Sequence, residues 1–115
     1  MTSYALVQMI REAIGASLLT ITGESERVNE TSAIVRCIAY TLGGVYAVGY
    51  DKDAAERWRA MFGTVRTAIH DAAVAARDAL PANATDSQRT YAIGEATDRV
   101  FAALTEMYLL HEGNS

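Results

Sequence analysis

Arg59, Arg66, His70 and Arg77 follow one another at separations of 7, 4 and 7 residues. On a helix turning about 100° per residue, all four fall within an arc of about 40°. A row of this kind holds negative groups: the acidic side chains of a partner protein or the phosphates of a nucleic acid. An acidic set, Glu95, Asp98 and Glu106, follows further along the chain. In an antiparallel helical hairpin turning near Asn83, Arg59 lies opposite Glu106, Arg66 opposite Asp98 and His70 opposite Glu95. One register serves the three pairs, which favours an interhelical charge ladder, each exposed pair contributing about 0–1 kcal/mol. In the other reading the basic row faces a partner. Arg77, opposite Gln88, stays free for a partner in either case. Tyr46 and Tyr50, four residues apart, complete the candidate partner-binding set, because exposed tyrosine is enriched at interaction surfaces.

Other chemistries lack their residues. A di-iron or di-manganese bundle needs Glu-x-x-His on two helices, whereas Thr67 and Tyr108 stand three before His70 and His111. With two histidines and one cysteine, neither that centre nor a structural zinc site is expected. The stretch Gly15-Ala16-Ser17-Leu18-Leu19 lacks the second glycine of a nucleophile elbow. His70 and Asp71, adjacent on a helix, diverge by about 100°. Cys37 is expected among apolar neighbours that leave its thiol inert. Gly43-Gly44 has no lysine after it, as a phosphate-binding loop would. No catalytic residue, metal or cofactor is expected.

The elements that position these residues follow from composition and spacing. Among 115 residues there are 21 alanines and a single proline, a strong bias toward long helices. Nine arginines against one lysine, with so much alanine, is the usage of a GC-rich genome, pointing to bacterial or phage origin. Leu6, Ile10, Ala13, Ile14, Leu18 and Ile21 have the three-and-four spacing of an amphipathic helix that Gly23 stops. Asn29 or Thr31 can cap the next helix. Asp53 with Glu56, and Thr85 with Gln88, fit capping boxes for a third and a fourth. Trp58, Phe62, Val65, Ile69, Ala72, Ala76 and Leu80 form the third helix's inner face up to Pro81. Ile93, Val100, Leu104, Met107 and Leu110 form that of the fourth, which Gly113 closes.

The segment 30–49 is ambiguous. Ile34, Ile38, Leu42 and Val45 keep helical spacing, but Gly43-Gly44 between β-branched and aromatic residues also suits a hairpin turn. As a strand, Arg36 would share a face with Ile34 and Ile38. As a helix, Ala39, Gly43 and Ala47 form a smooth ridge for close packing. The expected fold is therefore all-α: a compact antiparallel bundle of about four helices in one domain over 1–115, with 30–49 as its central rod. The alternative is an α+β domain with a hairpin at 33–50.

The uncharged run Cys37–Tyr50 falls short of the roughly 20 residues that a membrane span needs. Arg11-Glu12 breaks the apolar stretch that a secretion signal would require, and the lone cysteine excludes an intrachain disulfide. A cytoplasmic location is expected, with no membrane association. The formal charge of −4 argues against phosphate backbones as partners of the whole molecule. The expected function is non-enzymatic protein–protein interaction, of the regulator, inhibitor, immunity or adaptor type. A homodimer is possible, because a helix apolar on most sides needs cover. The alternative is a nucleic-acid-binding regulator using the basic stripe.

Overall fold

The computed structural model describes residues 3–24, 28–43 and 52–109. They form four α-helices: α1 (Ser3–Ile21), α2 (Val28–Gly43), α3 (Lys52–Ala79) and α4 (Asp86–Leu104), the last continuing into a π-helical turn, Thr105–Leu109. The helices pack on one another as a compact antiparallel bundle, and no strand occurs among the described residues. The hairpin alternative fails over 33–43, which is helical. Val45, Tyr46, Ala47 and Tyr50 lie outside the described residues.

Each boundary has a chemical cause. α1 stops because Gly23 takes a left-handed conformation, φ +78°. The Gly23 N–H then donates to the Thr20 carbonyl at 3.2 Å and the Glu24 N–H to the Leu19 carbonyl at 2.9 Å. That pair of reversed bonds satisfies carbonyls the helix leaves open. α3 ends at Ala79, two residues before Pro81. α4 starts on a reciprocal capping box: the Gln88 N–H donates to Thr85 Oγ1 at 3.2 Å, and the Thr85 N–H to Gln88 Oε1 at 2.8 Å. Replacing Thr85 by Ala should lower stability by about 1 kcal/mol, read from the urea midpoint. An unchanged midpoint would show that the box adds nothing.

Two expected caps are corrected. α2 begins at Val28 and α3 at Lys52, so Asn29, Thr31 and Asp53 sit inside first turns rather than ahead of them.

The core is built from α1 outward. Leu6, Ile10, Ala13, Ile14 and Leu18 are buried as their spacing predicts, with Ile21 half-buried. Onto this line pack Val35, Ile38, Ala39 and Leu42 of α2, Val65, Ile69, Ala73 and Ala76 of α3, and Ala96, Val100 and Leu104 of α4. α1 and α3 each contact the other three helices, while α2 and α4 do not approach one another. The centre is thus shared by α1 and α3, which corrects the expectation that 30–49 would be the central rod. The reason lies in the opening of α2, where Glu30 is exposed and Thr31 and Ser32 are only half-buried, whereas α1 buries an apolar residue on every turn from Leu6 to Leu18.

α1 is also the one described helix long and apolar enough to cross a bilayer, over Tyr4–Ile21. The same length and composition suit a core helix, and here its apolar line is covered by the other three.

Two further placements differ from expectation. Met107 is 43% exposed rather than inward, because the π-helical turn widens the spiral just before it and swings it off the line through Val100 and Leu104. Leu110 and Gly113 lie outside the described residues.

Candidate functional site

The charge ladder does not form. Arg59, Arg66 and His70 are exposed, as are Glu95, Asp98 and Glu106, and no ion pair joins α3 to α4 among the described residues. Glu95 instead accepts a hydrogen bond from the Tyr91 hydroxyl, which, with the charge of Glu95, raises the Tyr91 pKa above its ordinary value. Arg77 is not free: its Nε donates to Asp78 Oδ1 at 3.2 Å. Tyr46 and Tyr50 lie outside the described residues. Cys37, expected among apolar neighbours, is exposed.

The ladder fails because Arg66 and His70 lie on the flank of α3 turned toward α1 and α2. Arg66 and His70 line a groove of 220 Å³ together with Ile69, with Ser17, Thr20 and Ile21 of α1, and with Thr31, Ser32 and Val35 of α2. Antiparallel register placed the acids at the right heights but said nothing about which flank of α3 each base occupies.

The groove's hydroxyls are largely uncommitted. Of the four that line it, Thr20 returns its proton to the Ala16 carbonyl one turn back at 3.1 Å, as several threonines outside the groove do: Thr41 to Cys37 at 2.9 Å, Thr64 to Ala60 at 3.0 Å and the fully buried Thr97 to Ile93 at 2.7 Å. Thr31, in the first turn of α2, makes no such bond, and its Oγ1 is buried without a partner among the described residues. Ser17, 7% exposed, and Ser32 also make no side-chain hydrogen bond to a described residue. Among the described residues, no Asp or Glu lines the groove.

No family model, curated protein or solved structure matches this chain.

Outside the groove, α2 and α3 meet again at an aromatic stack: Tyr40 lies on Trp58 with ring centroids 5.3 Å apart, and Trp58 on Phe62 at 5.5 Å. Ser32 and Tyr40 both meet α3. Arg36 lies midway between them at four-residue spacing, and therefore on the same flank of α2. Arg36 is exposed and makes no ion pair among the described residues. The seam thus presents Arg36, Arg59, Arg66 and His70, and among the described residues no carboxylate pairs with any of them. Sequence reasoning missed Arg36 and the hydroxyl set, since only the α2–α3 contact places them beside the row.

A second cavity, of 340 Å³, lies where the ends of α1 and α3 meet the start of α4, and it contrasts with the seam. It also holds two arginines. However, Arg89 grips Glu24 with both Nη atoms at 3.0 Å, and Arg77 is taken by Asp78. Its cations are balanced, and the Arg89–Glu24 fork ties the start of α4 to the end of α1. Among the described residues no three His, Cys, Asp or Glu side chains converge as a metal site.

Proposed function

We propose that this protein is a non-enzymatic interaction module, of the regulator, inhibitor, immunity or adaptor type, that docks an acidic surface of a partner protein on its α2–α3 seam. One observation carries the reading: Arg36, Arg59, Arg66 and His70 lie along one accessible seam with no acid paired to them among the described residues, in a chain whose net charge is −4. A net-acidic molecule that leaves its bases unpaired along one line directs that line at negative charge. Tyr40, stacked on Trp58 and partly exposed, adds an aromatic anchor of the type that concentrates binding energy.

The nucleic-acid reading draws on the same row with less support, because Arg77 is engaged by Asp78 and the whole molecule repels phosphate backbones.

The test is affinity capture from a source-organism lysate with the full chain and with its Arg59→Glu/Arg66→Glu variant. The wild type should retain a stoichiometric protein partner whose binding weakens with salt, and the variant should lose it. A partner held equally by both would move the interface elsewhere. Nuclease-sensitive capture would favour the nucleic-acid reading instead.

A further inference from the structure

The groove that Arg66 and His70 share with α1 and α2 has a chemistry of its own. We propose that it binds a single tetrahedral oxyanion of the phosphate class, either inorganic phosphate or the phosphoryl group of a small monoester. Its uncommitted polar side chains are donors: the guanidinium of Arg66, an N–H of His70 and the hydroxyls of Ser17, Thr31 and Ser32, Thr20 being bonded to Ala16, and among the described residues no carboxylate lines it. A site so composed rejects cations and favours an anion.

The donors come from three helices that meet at the groove. A tetrahedral oxyanion offers an oxygen to each, whereas a carboxylate offers two oxygens in one plane. The volume, 220 Å³, is below the roughly 300–1,000 Å³ of pockets for drug-sized ligands and suits one small group.

The hydroxyls point to a ligand more directly. Thr31 Oγ1 is buried with no partner among the described residues, while Thr20, Thr41, Thr64 and Thr97 each spend their proton on a helical carbonyl. A rotation about the Thr31 side chain would turn that unspent donor toward an anion in the groove. Thr31 also stands in the first turn of α2 and Ser32 opens the second, near the positive end of the helix dipole, which favours negative charge. The 340 Å³ cavity with two arginines lacks this character because Glu24 and Asp78 already occupy them.

This inference goes beyond the partner-protein reading and does not depend on it. Isothermal titration calorimetry of the full chain, at constant ionic strength, separates the possibilities with three probes: inorganic phosphate, methyl phosphate and acetate. Saturable binding of phosphate or methyl phosphate is expected, with acetate much weaker. Tighter binding of methyl phosphate would identify a monoester as the source, and its exclusion would identify the free ion. Arg66→Gln should weaken binding roughly tenfold or more, since it removes a charge-assisted donor. Arg66 is exposed, so the fold should survive. Ser32→Ala, which keeps all charges, should give a smaller but measurable loss. Arg59→Gln, outside the groove, should leave binding unchanged.

Absence of saturable binding by both phosphates, equal affinity for acetate, or equal losses in the Arg59 and Arg66 variants would each overturn the site. The last of these would mean diffuse charge rather than a groove. Loss of partner capture in the Arg59→Glu/Arg66→Glu variant bears only on the docking surface, so the two proposals fail separately.

Discussion

Ile14→Ala should destabilise the protein by about 2–5 kcal/mol, a large part of the roughly 5–15 kcal/mol that holds a domain of this size folded. Ile14 has no exposed surface and lies mid-way along α1, which, like α3, touches all the other helices. Truncating it removes apolar area from the core and leaves a cavity that several elements would have to shift to fill. Leu19, on the same helix but 42% exposed, is the internal control. Its change to Ala should cost about 0.5 kcal/mol or less. Urea unfolding followed by circular dichroism reads both: the Ile14 variant should move the midpoint strongly at unchanged slope. Similar shifts for the two variants would mean that α1 is not central to the packing.

Trp58→Ala should cost about 3 kcal/mol, while Trp58→Phe should be close to neutral or mildly stabilising. The ring sits between Tyr40 of α2 and Phe62 one turn along α3, at 5.3 and 5.5 Å, so deleting it opens the seam as well as removing apolar area. Stacked pairs contribute about 0.5–1.5 kcal/mol beyond their burial. Its indole Nε1, however, is buried without an acceptor. Phenylalanine keeps the aromatic surface and removes that unmet donor, and this is why the two substitutions should diverge. Thermal unfolding of both variants decides. A Phe variant as unstable as the Ala variant would show that the indole N–H has a role the stack does not explain.

The same seam links the fold to the functional proposals. Opening it with Trp58→Ala separates Arg36 from the α3 row, so partner capture should weaken in step with stability, whereas Trp58→Phe should preserve both.

The sequence by itself determined most of the local structure. Apolar spacing located the inner lines of α1 and α3, Gly23 marked the end of α1, and Thr85 with Gln88 marked the start of α4. Each is a signal confined to a turn or two of chain, where backbone hydrogen bonding and side-chain direction leave few options. Helical spacing likewise outweighed the double glycine in 33–43, because a helix let Ile38 and Leu42 reach the core together while a strand would have mixed Arg36 into it.

Tertiary structure alone decided which helices are central, which flank of α3 meets which neighbour, and hence where the basic row points. A helical wheel gives the angle between Arg66 and Val65 but not which helix lies beyond each. The charge ladder had consistent heights and failed on that one missing coordinate. The groove's hydroxyls were invisible for the same reason. Ser17, Thr31, Ser32 and Arg66 belong to three separate helices, and no spacing along the chain relates them until packing around α1 brings them to one wall.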